Sequence, residues 1–263
     1  MIDFHNHVLP NVDDGPKTIN ESLDMLKTAY SQGISEVVNT IHFQHPKMYD
    51  KNVDIDFLKD KVNLLNQKLR DEKINIKIHL AAEVFYLPNL SEISSNPLLT
   101  IGNGKYMLVE FTNNIYPNDY EKIFFELQMK DISPIIAHPE RYRFIQNNVD
   151  ILEDWIKKGF IIQIDAGSLL GYFDKKTKKI VELIVEKSYF HLVGSDAHNN
   201  KKRNFCLEPA YNLLKKKYGV KIIDTLKKNA ELLLIGEKLE ELNIKQSDSM
   251  LSKIKGKFLN RLK

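Results

Sequence analysis

A single barrel-like domain of alternating strands and helices is the fold class predicted by this chain of 263 residues, and three observations predict it. Seven short strand-like runs are separated by helical or loop segments, which argues for a parallel sheet. No Gly- or Ser-rich linker divides them, so one domain accounts for the alternation. Finally, His42, Glu83, Glu110, His138 and Asp196 each fall at the C-terminal end of a predicted strand. In (β/α) barrels that face carries the active site, whereas structural polar residues would be spread over both ends and the outer helices.

The elements follow in order. Ile2–Phe4 reads as a strand running into His5-Asn6-His7. Thr18–Ser31 reads as a helix with Leu23, Leu26 and Tyr30 on one face. Thr18 and Glu21 have capping-box spacing, and Gly33 lies just past its end. Glu36–Ile41 is a second strand, ending at His42. Asp54–Arg70 has the helical period, with Phe57, Leu58, Val62, Leu65 and Leu69 as its apolar face. Ile74–Ala82 is a third strand ending at Glu83, and Tyr106–Val109 a fourth ending at Glu110. Tyr120–Lys130 is helical, Ser133–Ala137 is the fifth strand, and His138 follows it. Ile151–Lys158 is a helix, Phe160–Asp165 the sixth strand, Lys175–Lys187 a helix and Phe190–Gly194 the seventh strand, followed by Ser195-Asp196-Ala197-His198. Helices near Pro209–Tyr218 and Ile222–Leu234 close a domain expected to span residues 1–236.

Composition narrows the function. A hydrophobic content of 43% supports a substantial core, and no apolar run approaches bilayer length. The N-terminus enters strand-like residues without a basic and apolar leader, and the one cysteine, Cys206, suits a reducing compartment; both fit a cytoplasmic protein. A net charge of +3 gives no argument for nucleic acid. Residues 237–263 form an extension. Within it Lys253, Lys255, Lys257, Arg261 and Lys263 alternate with Leu251, Ile254, Phe258 and Leu262. That pattern fits a basic amphipathic helix touching an anionic membrane or an acidic partner, although a solvated, frayed end accounts for it more simply.

The candidate chemistry starts at the N-terminus. Side chains at i and i+2 of a strand share a face, so His5 and His7 project together, as half of a metal site or as ordinary polar residues of an exposed strand. Asp196 and His198 repeat the spacing, and Asp13 and Asp14 lie in a turn closed by Gly15-Pro16. The collected set is His5, His7, Asp14, His42, Glu83, Glu110, His138, Asp196 and His198. Nitrogen and carboxylate oxygen without thiolate suit Mn²⁺, Fe or Zn²⁺ in a catalytic centre rather than a structural zinc. Nine donors exceed the needs of one ion and match two or three, with Glu83 as the expected bridge. Such clusters catalyse hydrolysis by lowering the pKa of a bound water and neutralising charge on a phosphoryl group.

His5-x-His7, Val12-Asp13-Asp14-Gly15-Pro16, Thr40-Ile41-His42, Ala82-Glu83, Val109-Glu110-Phe111, Ala137-His138-Pro139-Glu140-Arg141-Tyr142 and Gly194-Ser195-Asp196-Ala197-His198 occur in that order. The series resembles the polymerase and histidinol phosphatase (PHP) superfamily. More narrowly, it resembles the bacterial manganese-dependent protein-tyrosine phosphatases of capsule and exopolysaccharide operons, over roughly residues 1–236. The resemblance implies a distorted (β/α)7 barrel holding a trinuclear centre. His5, His7, Glu83 and Asp196 would hold one metal, Glu83, Glu110 and His138 a second, and Asp14, His42 and His198 the third. It also implies a phosphotyrosine substrate on the tail of a membrane-linked autokinase, with Arg141 and Arg203 gripping phosphate through paired hydrogen bonds. On that reading a metal-bound hydroxide attacks in line, and the arginines stabilise the equatorial oxygens. His42 or Asp196 could shuttle a proton through water, and no general acid is assigned. Thr40 stands where Pro or Ser is commoner in the family, but the metal-binding His42 is kept.

Other chemistries are disfavoured. A cysteine-based phosphatase needs Arg six residues after its Cys, and Asn212 stands there; Cys206 reads as a buried or semi-buried helix residue. Gly102-Asn103-Gly104 lacks the third glycine of a dinucleotide fingerprint, and Gly167-Ser168-Leu169-Leu170-Gly171 has its serine one position too early for a nucleophile elbow, so both read as loops. His45 is close enough to His42 to touch substrate or support a ligand, while His79 and His191 read as structural. Tyr142, Phe43 and Tyr86 read as packing rather than as contacts to a substrate ring. A small-molecule phosphatase of histidinol phosphate type would keep the same metal cluster, but the Asp-Asp-Gly-Pro stretch speaks for the protein phosphatase. A polymerase-associated nuclease would show a basic groove, and a silent scaffold has no need of all nine positions.

Overall fold

The computed structural model describes residues 1–48 and 54–242. Seven strands, β1 (Ile2–Asn6), β2 (Glu36–Phe43), β3 (Lys77–Phe85), β4 (Tyr106–Glu110), β5 (Ser133–Ala137), β6 (Ile161–Asp165) and β7 (Leu192–Gly194), pair in parallel and in chain order. The sheet closes where the chain beyond β7 returns to β1. The Asp196 amide donates to the His5 carbonyl and the His7 amide to the Ala197 carbonyl, both at 2.8 Å. The result is the (β/α)7 barrel expected from the strand count, with its seam made by the His5–His7 and Asp196–His198 segments.

Ten α-helices among the described residues accompany the strands, eight between them and two after β7: α1 (Ile19–Ser31), α2 (Ile55–Asp71), α3 (Leu90–Ile93), α4 (Tyr120–Met129), α5 (Arg143–Asn147), α6 (Ile151–Lys157), α7 (Ala166–Leu170), α8 (Lys175–Glu186), α9 (Leu207–Tyr218) and α10 (Val220–Ile235). Thr18 caps α1 and accepts from the Glu21 amide, while the Glu21 carboxylate takes the Lys17 amide. Asp54 caps α2 and Asp174 caps α8. Their apolar faces and one face of the sheet form the larger core, around Trp155, Phe111 and Phe124.

The barrel interior is a second, smaller core in which strand parity is visible. Val38, Ala81, Leu108, Ile135, Ile161 and Leu192 fill it together with Leu233 of α10. On four of these strands the next same-face residues toward the C-terminal end are no longer apolar: His42 on β2, Glu83 on β3, Glu110 on β4, then Gln163 and Asp165 on β6. A two-residue side-chain period therefore carries one row from a dry plug into a polar rim.

Several elements differ from expectation for local reasons. Strands β2 and β3 run on through His42 and Glu83, because the two pair continuously up to Phe43 and Val84. Ile74 is tied back to the turn after α2, its amide donating to the Leu69 carbonyl, so β3 begins later than the apolar run. Gly167–Gly171 is not a loop: Asp165 caps a short helix there, and Gly171 ends it at φ +80°. Tyr30 stays 48% exposed, since α1 buries Ser22, Met25 and Ala29 beside Leu23 and Leu26. Cys206 is buried as expected and sits at the N-cap of α9. Residues 237–242 pack back on the barrel, where Asn229 brackets the backbone of Glu240 and Leu242 is buried. The basic pattern at 251–263 lies outside the described residues.

Gly194 is where β7 must lack a side chain. A Cβ there would stand 2.8 Å from the Cβ of His5 and 3.0 Å from Nε2 of Gln163, two fully buried neighbours with no room to retreat. Gly194→Ala is expected to lower stability by about 1–3 kcal/mol through overpacking, read as a lower urea midpoint with an unchanged m-value.

Candidate metal centre

All nine residues of the predicted set meet at the C-terminal rim. His5 lies next to the last residue of β1, and His7 follows on the seam. His42, Glu83 and Glu110 occupy the last turns of β2, β3 and β4. His138 and Asp196 lie just beyond β5 and β7 in left-handed conformations, at φ 33° and 48°, which turn their side chains over the rim. Asp14 reaches in from the turn after β1 and is the one half-exposed member.

The donor atoms fall into three groups in which every atom lies within 4.8 Å of the others: His5, His7, Glu83 and Asp196; His7, Asp14, His42 and His198; and His42, Glu83 and Glu110. Glu83 and His42 each belong to two groups, and His7 also joins two. His138 falls outside the three groups, with its Nε2 2.9 Å from Glu83 Oε1 and 4.0 Å from Glu110 Oε1. Whether the residues fit an ion can be read from their buried polar atoms. His5 Nε2, His7 Nε2, His42 Nδ1, Glu83 Oε2, Glu110 Oε2 and Asp196 Oδ1 are all buried without a hydrogen-bond partner, although they face one another across the cluster. Buried polar atoms are almost always satisfied, and an all-imidazole-and-carboxylate set suits hard or borderline divalent cations. The donor set fits.

A second layer fixes the rings. His5 Nδ1 stands 2.9 Å from Oε1 of Gln163, whose amide nitrogen donates to the Ile164 carbonyl and so orients the oxygen toward His5. His7 Nδ1 is 2.7 Å from Asp13, which also takes the Gly15 and His42 amides. His198 Nδ1 lies 2.8 Å from the Asp196 carbonyl. In each case Nε2 is left pointing at the cluster, as ligating histidines are held. Asp13 was in view in the sequence without this role. Gln163 was not, and its only signal was strand parity with Asp165.

The charges respond as crowded buried groups must. Burial and the Glu83 carboxylate push Glu110 up to about 8. Burial works against Glu83 too, but His5 and His42 hold it well below the usual carboxylate range. Burial also opposes charge on His5, yet Glu83 and Asp196 raise it to about 9. Burial and Arg141 together push His138 down to about 4.

Both predicted arginines sit beside this cluster. Arg141 and Arg203 each donate to Asp196 Oδ2 at 2.6 Å, and Arg141 also pairs with Asp165. Phe173 lies under the Arg141 guanidinium at 4.3 Å. Asp165 escaped the sequence reading although it too ends a strand. The two arginines line a cleft of about 760 Å³ that opens beside the rim.

The remaining candidates separate cleanly. His45 lies 5.0 Å from the His42 ring and 3.8 Å from Glu110, at the edge of the cluster. His79 pairs with Glu36 at 2.7 Å and His191 receives the Ile162 amide, both away from the rim. Tyr142 is fully buried, donating to the Ala137 carbonyl and accepting from the Phe111 amide, while Tyr86 packs on Phe111 and Phe124. Phe43 packs against the larger core.

A seven-stranded parallel barrel with imidazoles, carboxylates and two arginines gathered at its C-terminal rim defines a metal-dependent barrel enzyme. The chain belongs to the capsular polysaccharide synthesis CpsB/CapC family, whose model matches residues 1–235. It is 37% identical to the tyrosine-protein phosphatase YwqE of Bacillus subtilis over 89% of this chain and 91% of that protein. It is 30% identical to the tyrosine-protein phosphatase CpsB of Streptococcus agalactiae serotype V, over 83% and 91%. A solved structure from work on Bacillus subtilis YwqE and Streptococcus pneumoniae CpsB, metal-dependent tyrosine phosphatases, superposes with a TM-score of 0.86 at 35% identity, covering 94% of this chain and 99% of that one.

The protonation of His5 gives a direct test. Its folded value of about 9 exceeds the ordinary 6.5, so in the metal-free protein the charged ring contributes stability below pH 6.5 that is lost as pH rises through 9. A ligating nitrogen must be unprotonated. Adding Mn²⁺ to metal-free protein in weak buffer at pH 7.5 is therefore expected to release about one proton or more per chain, followed with a pH indicator, and the release should fall away above pH 9.

Proposed function

We propose that this chain is a metal-dependent protein-tyrosine phosphatase of capsular polysaccharide synthesis, using Mn²⁺ and acting in the cytoplasm on the phosphotyrosine tail of a membrane-associated tyrosine kinase. The catalytic domain is residues 1–236, and residues 237–263 are an extension whose basic end would meet an anionic membrane or an acidic partner. The observation that carries the reading is the adjacency of two chemistries: a nest of orphaned imidazole and carboxylate atoms, and two arginines on a single carboxylate at its edge.

His5, His7, Glu83 and Asp196 would hold one ion, Asp14, His42 and His198 with His7 a second, and Glu83, Glu110 and His42 or His138 a third. When bound, such ions supply a water of lowered pKa and neutralise phosphoryl charge. The chain's own part is positioning and electrostatics. Asp196 turns Oδ1 toward His5 and His7 and Oδ2 toward both guanidiniums, so the metal group and the phosphate grip share one rigid carboxylate. Arg141 and Arg203 would exchange that carboxylate for phosphoryl oxygens and stabilise the charge that develops on them. A tyrosine leaving group has a pKa of about 10 and needs little protonation, so proton movement can be left to His42 or Asp196 through water.

A phosphatase of the histidinol phosphate type has less support. A solved histidinol phosphate phosphatase of Lactococcus lactis aligns with a TM-score of 0.50 at 18% identity over 82% of this chain and 92% of that one, a likeness of fold alone.

With Mn²⁺ present, a phosphotyrosine peptide should be turned over well ahead of a phosphoserine peptide and histidinol phosphate, and a chelator should abolish turnover. Preference for histidinol phosphate in that comparison would sink the proposal. Arg141→Ala is expected to cut kcat/KM roughly 10²- to 10³-fold, as loss of a transition-state donor does. His5→Ala should instead lower the bound metal content, read by elemental analysis of the purified protein.

A further inference from the structure

The cleft extends past the two arginines, and its far wall is basic in a way that the metal chemistry does not require. Helix α8 contributes Lys176 and Thr177 to that wall, and there is no acidic residue in its first turn. Cations at a helix N-terminus oppose the macrodipole and cost stability there. Across the cleft, Arg143 opens α5 and is exposed. Among the described residues, neither Arg143 nor Lys176 has a carboxylate within ion-pairing distance, whereas the other two cations of the cleft, Arg141 and Arg203, each do.

Asp174 is the acidic residue on this wall, and it is already occupied. Its Oδ1 takes the Lys176 and Thr177 amides and its Oδ2 the Thr177 hydroxyl. Arg141 and Arg203 are balanced by Asp165 and Asp196. Arg143 and Lys176 are thus the cleft-lining cations without an ion pair, in a concave channel that also contains Arg141 and Arg203, with Asp174 as its one acidic lining residue.

We propose that Arg143 and Lys176 select phosphotyrosine peptides carrying acidic residues beside the phosphotyrosine. The inference rests on the phosphotyrosine reading above and adds the chemistry of the flanking sequence. A flat lysine face would suit an anionic membrane equally well. The concavity, and the direct continuation into Arg141 and Arg203, favour an extended acidic peptide instead.

The test is equilibrium binding to the Mn²⁺-loaded full chain of two labelled peptides bearing phosphonomethylphenylalanine, a non-hydrolysable phosphotyrosine analogue. One has Glu at the flanking positions and the other Gln. Two screened surface pairs predict about five- to tenfold tighter binding of the Glu peptide at low salt, shrinking at about 0.5 M salt. In the Arg143→Gln/Lys176→Gln variant the ratio should fall toward one. Equal affinities in the unmodified chain, or a ratio that survives the double substitution, overturn the inference while leaving the phosphotyrosine reading in place. Failure of both peptides to bind sinks the phosphotyrosine reading, and this inference with it. Co-sedimentation with phosphatidylglycerol vesicles that depends on Arg143 and Lys176, with no peptide preference, would assign the charges to a membrane and overturn the proposal.

Discussion

The rim of the barrel buries more polar atoms than its own hydrogen bonds satisfy, and the rest of the structure is arranged around that constraint. Six imidazole and carboxylate atoms converge there with no hydrogen-bond partner. Taking such groups from water costs several kcal/mol each unless something compensates them. A protein that collected them by accident would shed them, and this one instead props them up from behind. Gln163, Asp13 and the Asp196 carbonyl hold the far nitrogens of three histidines, so the ligating faces cannot turn away to find other partners.

That constraint explains the seam. The barrel does not close through a long pairing of β1 with β7, which has only three residues. It closes through two backbone hydrogen bonds between the His5–His7 and Asp196–His198 segments. Closing the fold and assembling the first group of donors are the same event, so misplacement of either segment would open the barrel as well as scatter the ligands. Gly194 permits this by leaving room for His5 and Gln163.

Asp196 connects this cluster to the substrate side. One oxygen faces the imidazoles and the other faces two guanidiniums, so the imidazole cluster and the arginine pair are coupled through a single planar carboxylate. The aromatic ring of Phe173 beneath Arg141 confines that guanidinium in its plane. Beyond it, the cleft continues to Lys176 of α8 and Arg143 of α5.

Much of this was legible in the chain itself, because the information was local. Strand-helix alternation, the caps at Thr18 and the amphipathic period of α2 depend on neighbours within a few residues, and the fixed two-residue period of a strand predicts that His42, Glu83 and Glu110 share the barrel's inward row. What only the tertiary structure decided was between elements distant in sequence. Gln163 and Asp165 looked like ordinary members of a strand until β6 was placed beside His5 and Arg141, and the distances of His42 and His138 from Glu83 and Glu110 are set between strands far apart in the chain. The helix at Ala166–Leu170 was hidden because its cap, Asp165, read as the end of a strand. Hydrogen bonds between side chains some 160 residues apart leave no periodicity in the sequence, so they emerge only when the barrel closes.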